Sequence, residues 1–153
     1  MQEFTEEAKR FWSEKEKEKG GKLSFFTFAT YLGMSSKRSP SLGGLLYIID
    51  NKIYFEDFEK DNWLMKIIGR KQKYEKTEFS INIKDISETK VTSRNSAFNC
   101  MAGYITGEET RVLSPFLMVL MKPILQINLK NKNSLFFEIM KLQDFLKTVG
   151  KTV

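Results

Sequence analysis

The chain contains no histidine and a single cysteine, Cys100. Without imidazole it lacks the commonest general base, proton shuttle and zinc ligand. One thiol excludes a disulfide framework within the chain, thiolate metal clusters and CxxC redox pairs. A long uninterrupted apolar run is missing too. The most apolar stretch, Val112 to Leu129, is broken by Pro115, Lys122, Pro123, Gln126 and Asn128, and a spanning helix needs about 20 consecutive apolar residues. The first residues, Met1-Gln2-Glu3-Phe4-Thr5-Glu6-Glu7, are acidic and polar, whereas a secretory signal starts basic and turns apolar. No internal repeat or low-complexity segment is visible. Nucleophile elbow, Walker, HExxH and GxGxxG motifs are absent. These absences lead to the expectation of a cytoplasmic protein with no catalytic residues, no metal and no cofactor. The lone Cys100 fits a reducing compartment.

What is present suits one domain carrying an arm. The 153 residues are 41% hydrophobic and 13% aromatic, enough to bury a core and too apolar for full disorder. Lys+Arg 25 against Asp+Glu 19 gives a net charge of +6. That excess, mostly lysine, favours solubility and weak attraction to anionic surfaces. It falls short of the dense basic stripe of a nucleic-acid binder, so no specific nucleic-acid partner is expected.

Residues Gln2 to Lys19 read as a helix. Glu6 and Glu7 stand near its start and Lys15, Lys17 and Lys19 near its end, matching the helix dipole. Phe4, Ala8, Phe11 and Trp12 recur at i, i+4, i+7 and i+8 and share one face. Gly20-Gly21 ends the helix. This arm, residues 1–21, either packs on the chain's own body, the default, or serves as a dimer contact or interfacial membrane anchor. From residue 22 to 153 the pattern is β. Leu23 to Leu32 is rich in Phe, Thr and Tyr. Gly33 to Gly43 reads as a loop. Gly44 to Ile49, the turn Asp50-Asn51-Lys52 and Ile53 to Phe58 form the clearest hairpin. Trp63 to Ile68, Thr77 to Ile83, Thr89 to Ser93, Phe116 to Met121, Ile124 to Leu129 and Leu135 to Ile139 are further strand candidates. Tyr104-Ile105-Thr106 could be another, and Arg94 to Ser114 as a whole is the least legible part. Leu142, Phe145, Leu146 and Val149 mark a closing amphipathic helix. The order is helix, about seven strands, helix. That spacing predicts a mainly β, antiparallel barrel or sandwich, with the last helix plugging one mouth.

Gly43-Gly44-Leu45-Leu46-Tyr47-Ile48-Ile49-Asp50-Asn51-Lys52-Ile53-Tyr54-Phe55 resembles the G-x-L-Y-x-T-N-x-x-L-x-F hairpin of GRAM and bacterial pleckstrin-homology-like domains. Phe79-Ser80-Ile81-Asn82-Ile83-Lys84-Asp85-Ile86 looks like their I-x-L-x-D-I strand, and Ile124 to Glu138 is similar to their penultimate hairpin. The resemblance covers residues 22–150 in three patches. It implies a pleckstrin-homology-like antiparallel barrel of about seven strands capped by a C-terminal helix, with the N-terminal helix as an extra. Members of that family bind phosphoinositides, peptides or partner domains. The fold alone names no ligand.

Three charged or aromatic sets are candidates. Lys37 and Arg38 fall where the resembling fold holds phosphoinositides, although the family's spaced basic pattern is absent. Lys66, Arg70, Lys71, Lys73 and Lys76 form the densest basic cluster, able to meet an anionic membrane at about 1 kcal/mol per charge or simply to face solvent and guard a strand edge. Phe4, Phe11 and Trp12 form the interaction arm. The acids Glu56, Asp57, Glu59 and Asp61 read as a surface counter-charge. The expectation is a non-catalytic binding or adaptor module. It works through protein interaction by a strand edge or the arm or, as the alternative, by peripheral binding to anionic lipid or phosphoinositide at the inner membrane face. Homo-oligomerisation stays open.

Overall fold

The computed structural model describes residues 5–58 and 77–151. Helix α1 spans Glu6–Lys19. Thr5 caps it, its hydroxyl accepting from the Ala8 N–H at 3.1 Å, and Gly20 ends it in the left-handed conformation at φ +76°. Seven strands follow: β1 Leu23–Met34, β2 Lys37–Ile49, β3 Lys52–Asp57, β4 Glu78–Asn82, β5 Ile86–Thr92, β6 Ile124–Leu129 and β7 Ser134–Ile139. Between β5 and β6 lie helix α2, Arg94–Met101, and helix α3, Pro115–Leu120. Helix α4, Leu142–Val149, follows β7. All pairings are antiparallel, in the order β4-β3-β2-β1-β7-β6-β5. The sheet curls into a half-barrel whose end strands, β4 and β5, are joined by a 3-10 turn at Ile83–Asp85.

Alternation sets which side chains go inside. In β2, Leu46 and Ile48 enter the barrel, while Tyr47 and Ile49 face α1. Both faces are covered, which accounts for the unbroken apolar run Leu45 to Ile49. Inside, Tyr31, Phe55, Phe79 and Phe137 form a ring cluster with centroids 5.1–6.2 Å apart. Phe145, Leu146 and Val149 of α4 pack into the same core. The β2–β3 turn at Asp50-Asn51 has φ of +51° and +66°, the double left-handed turn that matches strand twist and suits Asn.

Three local readings are corrected. Gly33 to Gly43 is no loop: β1 runs to Met34 and turns at Ser35-Ser36 into β2. Pro40 is tolerated because it lies in a register irregularity, between the Tyr31↔Leu42 and Gly33↔Arg38 pairs; proline in a sheet is confined to such places. Phe116 to Met121 is a helix rather than a strand. Ser114 caps it and Pro115 takes its first turn, a start signal that overrides apolar content. Tyr104-Ile105-Thr106 is irregular chain. The strand expected at Thr89 to Ser93 begins earlier, at Ile86. The expected strand at Trp63 to Ile68 lies outside the described residues.

Candidate functional site

The arm is seated on the body. Trp12 is buried against Phe26 and Tyr47, with centroids 4.9 and 5.3 Å away. The Lys15 ammonium meets the Glu56 carboxylate at 2.9 Å, and the Tyr47 hydroxyl donates to the same oxygen at 3.3 Å. Lys19 pairs with Glu78 at 3.2 Å. Trp12 is therefore a core residue while α1 lies on the sheet, and Phe11 beside it stays exposed. Phe4 lies outside the described residues. Glu56 and Asp57 are not surface counter-charges: both are buried, Glu56 holding α1 and Asp57 accepting from the Thr77 N–H at 2.6 Å. Glu59 and Asp61 lie outside the described residues.

Burial weakens several acids together. The Tyr31 and Tyr47 hydroxyls are pushed above their ordinary 10.0 by burial, and Tyr47 further by the Glu56 carboxylate. The Cys100 thiol is raised above 9.0 by burial, Lys90 pulling the other way. Folded chain thus keeps protons that unfolded chain sheds above about pH 9, so stability falls as pH rises beyond that point and is insensitive to these groups below it. Urea midpoints between about pH 8 and pH 11 test this. A flat profile across that range contradicts it.

Lys37 and Arg38 open β2 and are exposed. The Arg38 guanidinium stacks on the Phe98 ring of α2 at 4.8 Å, and Arg94 approaches the same ring at 5.3 Å. Lys66, Arg70, Lys71, Lys73 and Lys76 lie outside the described residues. A buried polar seam that the sequence reading did not find ties the segment after α2 to the sheet. The Gln126 amide donates to the Gly107 carbonyl and to Asn128 Oδ1, both at 2.7 Å. Thr110 donates to Gln126 Oε1 at 2.6 Å, and Ser134 to Asn128 Oδ1 at 2.6 Å. Two amides at alternate positions of the apolar strand Ile124-Leu125-Gln126-Ile127-Asn128-Leu129 were the available signal, since they share one face. A Cβ on Gly107 would lie 2.0 Å from Ser134 Oγ, so only glycine permits this approach. A cleft of about 850 Å³ flanks the seam. Within it Lys132 pairs with Glu108 at 3.4 Å, and Glu88 accepts from Asn128 at 2.8 Å. These polar groups satisfy one another, which marks the seam as structural. Among the described residues no three His, Cys, Asp or Glu side chains converge to hold a metal ion.

The edge of β5 is occupied by the chain itself. The Leu113 N–H donates to the Val91 carbonyl and the Thr89 N–H to the Lys151 carbonyl, both at 2.8 Å. The Lys151 ammonium also bonds the Ile83 and Ile86 carbonyls. Strand addition at this edge would have to displace them.

Helix α3 is different. Leu117 and Met118 turn toward the core, but Phe116, Val119 and Leu120 are 72%, 85% and 68% exposed. Met140, 77% exposed, continues the patch: with Met118, Pro123 and Leu142 it lines an open cleft of about 380 Å³. Its N–H donates to the Phe28 carbonyl at 3.2 Å, and the half-exposed Phe28 ring meets Phe58 at 5.8 Å. Phe28 and Phe58, each about half exposed, form a second apolar pair on the surface. No described helix is long and apolar enough to cross a membrane.

The fold and this surface define a mainly β half-barrel with a helical cap and an exposed apolar ridge. No protein-family model matches the chain. No curated protein matches it either. Among solved structures it is similar to the crystal structure of the C-terminal domain of an unknown protein from Leishmania infantum. Identity is 11%, 94% of each chain is covered and the TM-score is 0.50. That likeness concerns the fold alone.

Proposed function

We propose that this chain is a non-catalytic binding module of the pleckstrin-homology-like or GRAM-like kind, whose working surface is the α3 ridge. One observation carries the reading: Phe116, Val119 and Leu120 stand in water on a helix whose other face already packs on the core. A contiguous apolar patch of this kind marks an interaction site, and the methionines beside it adapt to varied partners. Of the surfaces expected from the sequence, Trp12 of the arm is covered by the sheet and one strand edge, that of β5, by Leu113 and Lys151. Such a module would act on the cytoplasmic side, by docking rather than by turnover.

The double substitution Phe116→Ser with Leu120→Ser tests the reading. Both side chains are exposed, so stability should change by no more than about 0.5 kcal/mol. In cells that make the protein, the wild type should migrate in native complexes or sediment with membranes, and the variant should run as a free monomer. Identical distributions of the two would overturn the proposal.

A further inference from the structure

We propose that the α3 ridge is a bilayer-insertion element, in which Phe116, Val119 and Leu120 dip into the headgroup–acyl boundary of a membrane carrying anionic lipid. The inference rests on the docking reading above and names its partner.

Shape favours a bilayer. Phe116, Val119 and Leu120, each more than two-thirds exposed, project into water. A protein partner must offer a matching groove, whereas the interface of a bilayer deforms around any apolar protrusion. A second copy of this chain is disfavoured because two chains of charge +6 repel.

The backbone of the ridge is prepared for a medium poor in water. Pro115, in the first turn, has no N–H to leave unpaired. The Ser114 hydroxyl accepts from the Leu117 N–H at 3.4 Å. The Met118 N–H donates to the Ser114 carbonyl at 3.0 Å and the Met121 N–H to that of Leu117 at 2.8 Å. Lipid penalises each unpaired donor by several kcal/mol, so these pairings matter more there than in water. Six residues rise only about 9 Å, far short of the roughly 30 Å that a spanning helix must cross.

Charge completes the match. From Arg111 to Phe137 the sequence carries no Asp or Glu. Arg111 and Lys122 bracket the ridge, and both are exposed. Lys122 meets Glu138 at 3.0 Å, and the neighbouring cleft is lined by both Lys141 and Asp144. The aliphatic stem of Lys122 can lie along the acyl boundary with its ammonium among phosphates. Lys37 and Arg38 take no part.

The test uses the full chain and sedimentable vesicles of phosphatidylcholine, with or without phosphatidylserine. Binding should need phosphatidylserine and weaken at high salt. Phe116→Ser with Leu120→Ser should lower the partition coefficient at least tenfold while melting as the wild type does. A nitrobenzoxadiazole dye on Val119→Cys should shift to the blue on binding; buried Cys100 escapes the label. Wild-type protein left in the supernatant with both vesicles, an unshifted dye, or a serine variant that sediments as the wild type does would each overturn the proposal. If vesicles fail but the serine variant still dissolves the native complexes in cells, the bilayer is wrong and the docking reading survives. If neither assay responds, both fall.

Discussion

Replacing Phe137 by alanine should cost about 3–5 kcal/mol, the usual range for removing a buried phenyl ring. Phe137 is fully buried in β7, and Tyr31, Phe55 and Phe79 surround it with centroids 5.3, 5.7 and 6.2 Å away. Its backbone pairs with Tyr31 on one side and Leu125 on the other. The ring therefore fills the point where the two halves of the sheet meet, and three rings leave little freedom to collapse into the void. The loss amounts to a third or more of a typical domain's total stability of about 5–15 kcal/mol. Phe137→Leu keeps most of the volume and should cost clearly less. Urea melts of the three proteins measure this. An alanine variant within about 1 kcal/mol of the wild type would mean that the ring cluster is loosely packed.

The second large effect is expected at Glu56. Glu56→Ala strands the Lys15 ammonium and the Tyr47 hydroxyl against an apolar wall, with the Lys15 side chain only 13% exposed. Removing one partner of a buried ion pair costs about 3–5 kcal/mol. The lower end applies here, because Glu18 lies 3.7 Å from the same ammonium and can take up part of its charge. Lys15→Met with Glu56→Leu should recover most of the loss, since two apolar groups leave no orphaned charge. A Trp63→Phe background makes the readout specific to α1, because the chain's second indole then no longer contributes. Detaching the helix exposes Trp12, so Glu56→Ala should red-shift the indole emission and make α1 susceptible to protease, while the double variant restores both. Equal stability of Glu56→Ala and wild type would show that Trp12 and the Lys19–Glu78 pair hold the arm without it.

Much of the architecture was legible in the sequence because alternation is a strong signal where one face of a strand is buried. The Asp50-Asn51 turn, the apolar strands on either side of it, β6, β7 and the i, i+3, i+4, i+7 spacing of α4 all follow from that periodicity and from turn chemistry. The failures have equally physical causes. At Gly33 to Gly43, residues that usually break strands sit in a bulged part of one, where a lost ladder bond costs little. At Phe116 to Met121, an apolar run was read as buried strand, although Ser114-Pro115 announces a helix. The ridge itself was hidden for the same reason: a run of Phe, Leu, Met and Val gives no hint that three of its side chains face water. The polar seam depends on contacts between Thr110, Gln126 and Ser134 that no local pattern encodes. Glu56 looked like one acid in an exposed cluster, and only the packing of α1 gives it a buried lysine.

Strand β1 hydrogen-bonds on two sides, to β2 along its length and to β7 over Ala29 to Met34. Its second partner is made roughly a hundred residues later, the sort of distant pairing that slows folding. As the nascent polypeptide leaves the ribosome, β1 and β2 can zip at once, but the far side of β1 must wait until about a hundred further residues have been translated. Through that interval an aromatic strand offers an open edge to other growing chains. Chaperone demand should therefore be concentrated before β7 emerges, and a translational pause placed between β6 and β7 should lower the yield of native protein more than one placed after α4.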